Sequence, residues 1–160
     1  MNEVYLLLGS NEGNRAEHLL HACELIRFRC GNITAQSAIY ETEAWGLKEQ
    51  TAFLNQAICI RTPQAPIDLL STLKKIEAET GRVKTVKWGP RVIDIDILFF
   101  NNEVIDLPDL KVPHPYLHVR KFTLMPLSEI VPDFMHPLLP FTVRQLLENC
   151  SDSLAVKPYN

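Results

Sequence analysis

The segment Trp88 to Phe100, WGPRVIDIDILFF, limits the possible folds of this chain more than any other. From Arg91 to Phe100, seven of ten residues are β-branched, aromatic or Leu, the composition of a β-strand. Alternate side chains of a strand share a face. Ile93, Ile95, Ile97 and Phe99 then make one apolar face that must be buried, opposite Val92, Asp94, Asp96, Leu98 and Phe100. Two carboxylates therefore share a face, about 7 Å apart in rise. Like charges that close repel, and Asp is depleted in strands, so the pair costs stability unless something positive meets it. Mg²⁺ would meet it, because one or two carboxylates plus substrate phosphates is the usual way a protein holds that ion. Alone, a D-x-D pair also fits an amphipathic strand with a wet face.

The upstream residues favour the metal. Arg82, Lys84, Lys87 and Arg91 lie in a stretch broken by Gly81, Gly89 and Pro90. Four cations leading into two carboxylates suit a metal-bridged polyphosphate better than open water. Trp88 supplies a flat ring able to cover a base or seal a site. With these residues in view, W-G-P-R-x-x-D-x-D-I-L followed by V-P-H-P at 112–115 resembles 6-hydroxymethyl-7,8-dihydropterin pyrophosphokinases, enzymes of folate biosynthesis. The resemblance covers nearly the whole chain. It implies pyrophosphoryl transfer from ATP to the hydroxymethyl group of the pterin, with release of AMP.

A length of 160 residues suggests one domain, 1–160, able to bury a substantial core. A net charge of −3 argues against a general nucleic-acid binder. No apolar run approaches membrane-spanning length, and MNEVYLLLGSNEG has no basic region before its short apolar run, so no signal peptide is expected. Cys23, Cys30, Cys59 and Cys150 show no close paired spacing and read as reduced thiols of a cytoplasmic enzyme. A monomer acting on small molecules is expected.

Val4 to Leu8 reads as a first strand, and Gly9 to Asn14 as a turn into a helix marked by Ala16, Leu19, Leu20, Cys23 and Ile26. G-S-N-x-G-N has neither the P-loop Lys nor dinucleotide spacing, so no phosphate loop is inferred. His18 and His21 read as solvated helix surface. Ile33 to Tyr40 and Phe53 to Arg61 read as further strands. Phe53 and Asn55 share a face of the latter, where an aromatic ring stacks and an amide donates and accepts toward a flat heterocycle. Taken alone, such a pair is more often ordinary sheet packing with one satisfied amide. Pro66 opens a second helix, striped by Leu69, Leu70, Leu73 and Ile76 and ended by Gly81. Glu77 in its last turn reads by default as solvated.

Strand, helix, strand, strand, helix, strand is the order of an α+β, ferredoxin-like βαββαβ sandwich, a mostly antiparallel sheet with helices on one face. The open face is expected to carry the ligands. A C-terminal hairpin and helix extension follows: a short strand at Val104-Ile105, an extended 106–113, a helical turn from Tyr116 to Arg120, and a helix Val143 to Cys150 capped by Thr142 and Gln145. Residues 151–160 read as a loose tail.

The resemblance carries roles onto matching residues. It implies a pterin pocket of Thr42, Glu43, Trp45, Phe53, Asn55 and Phe122. Glu77, Lys84, Trp88, Arg91, Ile97, His114 and Arg120 fall at the nucleotide. Asp94 and Asp96 hold two Mg²⁺ ions; Arg82 and Arg91 neutralise charge during transfer, in a loop that closes over ATP. The family commonly has Pro near Ala44, and Gln and Arg where Lys74 and Lys84 stand. Two other readings keep the same residues: a different Mg²⁺-dependent nucleotidyltransferase, and a ferredoxin-like binding module without catalysis.

Overall fold

The computed structural model describes residues 1–42, 51–81 and 92–160. It is a mixed α/β structure in which helices pack on an antiparallel sheet. In chain order the first half gives β1 (Asn2–Ser10), α1 (Arg15–Arg29), β2 (Asn32–Gln36), β3 (Tyr40–Thr42), β4 (Phe53–Thr62) and α2 (Pro66–Glu79). Then come β5 (Asp94–Phe100), β6 (Ile105–Leu107), β7 (Leu110–Val112), a 3₁₀ turn (Leu117–Val119), α3 (Lys121–Ile130), α4 (Val143–Glu148) and β8 (Val156–Pro158). The sheet order is β5-β1-β4-β3-β8, with β2 also on β4. Among the described residues every pairing in this sheet is antiparallel. β1 lies between β4 and β5, where both edges are used, and its residues from Val4 to Ser10 are all buried.

One face of the sheet packs on α1 and α2. Leu6, Leu8, Leu54, Ile58, Ile60, Ile93, Ile95 and Ile97 meet Leu19, Cys23 and Ile26 of α1 and Leu69, Leu73 and Ile76 of α2. Period 2 in the strands and 3.6 in the helices brings these residues together. Leu20 was read into the α1 stripe, but it is exposed, and Ala22 takes its place.

The opposite face is not open, as the helices-on-one-face reading required. Tyr5, Leu7, Ala57 and Cys59 are covered by Leu124 and Leu127 of α3 and Val143 and Leu146 of α4. The reason lies in the C-terminal stretch, whose apolar side chains need a partner layer and find the free side of the sheet.

Several boundaries also differ. Gly9 and Ser10 belong to β1 and pair with β4; they are not a turn. The Ile33–Tyr40 strand is two strands, because Ser37 interrupts it. The Ser37 hydroxyl accepts from the Ala57 N–H at 3.0 Å, while Gln56 Nε2 donates to the Ser37 carbonyl at 2.8 Å. The Ser37 N–H still donates to the Ala57 carbonyl at 2.9 Å, and on its other bonds side chains take part where a regular ladder uses backbone alone. In β5, Tyr5 faces Phe99 but Leu6 faces Ile97, so Leu98 is an inserted residue. That bulge turns Phe99 to the α3–α4 side and Phe100 to the α1–α2 side, the reverse of strict alternation.

Residues 106–113 fold back at Pro108-Asp109, so β6 pairs with β7 and not with β5. The capping box of Thr142 and Gln145 is present, and α4 ends at Glu148. The expected loose tail docks instead: β8 extends the sheet beside β3, and the Thr42 hydroxyl donates to the Ala155 carbonyl at 2.8 Å. Cys23, Cys30, Cys59 and Cys150 are free thiols.

Candidate active site

Residues directly opposite one another in an antiparallel pair point to the same face. Gly9 pairs with Asn55 on one side and Asp94 on the other. Leu7 pairs with Ala57 and with Asp96. Two rows therefore run across three strands, Asn55–Gly9–Asp94 and Ala57–Leu7–Asp96. They lie on the α3–α4 face, at the end those helices leave uncovered: Ala57 and Leu7 are buried, whereas Asp94 and Asp96 are half-exposed. Phe53 stands two residues before Asn55 on that same face, and Thr42 pairs with Phe53. Phe122, in the first turn of α3, packs against the edge of this layer.

On the other side of the aspartates lies a cleft of about 290 Å³. Leu70, Leu73, Lys74 and Glu77 of α2 form one wall, Asp94 to Ile97 its floor, and Asp109, Leu110, Lys111, His114 and Pro115 the other wall. Glu77 is 5 % exposed, contrary to its default reading as a solvated charge. Its Oε2 accepts from the Ile95 N–H at 2.7 Å. β5 is an edge strand at this point, and a buried N–H there would otherwise lack an acceptor. Glu77 thus ties α2 to the residue between the two aspartates.

His114 follows a cis Val112–Pro113 bond, and its backbone N–H donates to the Leu98 carbonyl at 3.0 Å, which fixes the loop on β5. The His114 Nδ1 accepts from the Tyr116 N–H at 3.2 Å, so the ring proton belongs on Nε2. Nε2 lies 4.0 Å from Asp96 Oδ2. Burial, then the charge of Arg120, pulls the His114 pKa down to about 4. The ring is therefore a neutral N–H donor at neutral pH, and the nearby carboxylate does not outweigh desolvation. Arg120 is 7 % exposed and sits over two rings, 4.8 Å from the Tyr116 centroid and 5.5 Å from that of Phe122. Burial lowers its pKa, and the charge of Asp96 is the largest influence in the other direction. Arg120 thus links the Phe122 side of the site to the aspartate side.

Among the described residues no group of three His, Cys, Asp or Glu gathers as a metal cage. Asp94 and Asp96 supply hard oxygen donors at the cleft, a set that fits Mg²⁺ shared with substrate phosphates. Ile97 is buried in the cleft floor. Glu43, Ala44, Trp45, Arg82, Lys84, Lys87, Trp88 and Arg91 lie outside the described residues. Lys111 and Asp109 escaped the sequence reading, because 106–113 was taken as extended; Pro108-Asp109 is the turn signal that would have placed them beside α2. Gly9 escaped it too, for a strand glycine carries no period-2 signal.

Three comparisons accord with this geometry. The family model for 7,8-dihydro-6-hydroxymethylpterin-pyrophosphokinase matches residues 5–132. A 2-amino-4-hydroxy-6-hydroxymethyldihydropteridine pyrophosphokinase of Aquifex aeolicus is 43% identical over 159 residues, 99% of this chain and 96% of the relative. The enzyme of that name from Bacillus subtilis is 45% identical over 130 residues, 81% of this chain and 78% of its own length. In fold, the chain is similar to a crystal structure of wild-type Plasmodium falciparum HPPK-DHPS with pteroate, with TM-score 0.74, 19% identity and 92% of this chain covered. The chain spans 42% of that longer protein.

Proposed function

The chain belongs to the 7,8-dihydro-6-hydroxymethylpterin-pyrophosphokinase family, and from that premise we propose how its residues divide the work. The reaction is pyrophosphoryl transfer in folate biosynthesis, with ATP as co-substrate. The hydroxymethyl oxygen of 6-hydroxymethyl-7,8-dihydropterin attacks the β-phosphorus, the bond from that phosphorus to the oxygen shared with the α-phosphate breaks, and AMP leaves. Nucleotidyl transfer would release pyrophosphate instead and is not favoured.

One observation carries the assignment of roles: Asn55, Gly9 and Asp94 form a single row across β4, β1 and β5. A heterocycle held at Phe53 and Asn55 and a triphosphate at Asp94 and Asp96 then meet on one surface. Phe53 and Phe122 stack the pterin, Asn55 reads its edge, and Thr42, Glu43 and Trp45 close the pocket. The nucleotide takes the cleft lined by Glu77, Ile97 and His114, with Lys84, Trp88 and Arg120 as further contacts. His114, neutral and with its proton on Nε2, donates to a phosphate oxygen.

Asp94 and Asp96 would hold two Mg²⁺ ions, which would offset the charge of the triphosphate and lower the repulsion met by an incoming hydroxyl. Arg82 and Arg91 neutralise charge that develops as AMP departs. Asp96 accepts the hydroxyl proton; positioning and electrostatics do the rest. The strand order supports a ferredoxin-like description of the sheet, and we read the chain as one domain, monomeric and cytoplasmic.

The test is product analysis. Wild-type protein with Mg²⁺ is expected to convert ATP to AMP only when the hydroxymethylpterin is present. Asp96→Ala should lower that rate on the order of 10³-fold, the scale of losing several kcal/mol of charge stabilisation, with pterin affinity kept. Pyrophosphate as the released product, or full turnover by Asp96→Ala, would refute the scheme.

A further inference from the structure

Gly9 is paired on both edges of β1, with Asn55 of β4 and with Asp94 of β5, the latter being the last pair of its ladder. Its backbone is not in the positive-φ region that demands glycine; among the described residues Gly13, Gly31 and Gly81 are the glycines found there. An interior strand glycine loses conformational freedom and offers nothing to pack, so β1 gains no local stability from it. The space above Gly9 supplies the reason. A Cβ at this position would stand 2.8 Å from Asn55 Oδ1 and 3.7 Å from Phe53 Cδ1. The Asn55 side chain therefore lies across β1, with its oxygen where a side chain at position 9 would begin. Asn55 is 4 % exposed, so little room is left for its carboxamide to move.

We propose that Gly9 is a specificity-determining positioning residue: its missing side chain keeps the Asn55 carboxamide flat over β1, oriented to bond the edge of a planar heterocycle stacked beside Phe53. This rests on the pterin-side assignment made above. The contact is tight only against the far end of a side chain. An alanine at position 9 should therefore displace the amide and leave the strand in place. The same crowding narrows the pocket floor, so a bulky residue at position 9 would exclude the ring altogether.

The experiment is a mutant cycle on pterin binding, with a non-hydrolysable ATP analogue and Mg²⁺ present. Gly9→Ala is expected to raise the pterin Kd about tenfold, the loss of one to two amide hydrogen bonds, with ATP-analogue affinity and melting temperature unchanged. In an Asn55→Ala background, adding Gly9→Ala should change the pterin Kd by less than about twofold, because the displaced group is already gone. Equal losses in both backgrounds would overturn the inference, as would wild-type pterin affinity in Gly9→Ala. Failure of Gly9→Ala to fold would overturn it too, by showing that the strand yields and the amide does not. Absence of pterin binding by the wild-type protein would instead remove the functional reading on which the inference stands, and the inference with it.

Discussion

On the side of the sheet facing α1 and α2, Leu6, Leu8, Leu54, Ile58, Ile60, Ile93, Ile95 and Ile97 are all 6 % exposed or less. On the side facing α3 and α4, Tyr5, Leu7, Ala57 and Cys59 are equally well covered, but the same strands continue past the helices to Asn55, Gly9, Asp94 and Asp96. The first side is core from end to end. The second is core where helices reach and a candidate binding surface where they stop. The difference teaches that a strand's buried alternation and its functional alternation are separable. Residues 93, 95 and 97 hold β5 in place, and residues 94 and 96 remain available for chemistry. A substitution on one side should damage stability and spare turnover, and the reverse should hold on the other.

The largest contrast is expected from Asp94→Asn. It should cut pterin-dependent AMP formation on the order of 10³-fold in a steady-state assay. Its melting temperature should stay close to that of the wild type, because relief of repulsion from Asp96 is set against loss of attraction to Arg120. Ile58→Ala, on the sealed side, is expected to cost about 2–5 kcal/mol in urea unfolding while kcat of the folded protein stays within about twofold. Parallel losses of activity and stability in either variant would break the comparison.

Glu77→Ala sharpens it, since this residue touches both sides. Loss of its bond leaves the buried Ile95 N–H without an acceptor, at about 1–3 kcal/mol, and should raise the KM for ATP more than the KM for the pterin. The smallest effect belongs to Thr142→Ala. Removing the α4 cap should cost about 1 kcal/mol by thermal unfolding and leave both KM values alone.

How much of this was legible in the sequence depends on whether a local pattern carried it. The aspartates were placed on one face because alternation holds unbroken from Ile93 to Ile97, and the α2 stripe and the Thr142–Gln145 box are equally local. Alternation then failed at Leu98, where nothing in the residue types marks an inserted position. Ser37 broke a strand through bonds to residues twenty positions away, and β8 formed only because β3 offered an edge. Glu77 was misjudged for the same reason, since its acceptor role depends on an edge strand supplied from elsewhere. The second helical layer was invisible because periodicity tells which residues are apolar, not which side of a sheet receives them.

β1 is made first, yet it lies in the middle of the sheet. Its two partners emerge from the ribosome only after about forty and about eighty further residues have been synthesised, and such distant pairings are slow to close. A nascent chain therefore carries Gly9 unpaired until β4 has followed it, and the row stays incomplete until β5 has followed as well. No chain that stops before β5 can offer the row to a ligand, and such truncated chains should be without catalytic power at any concentration.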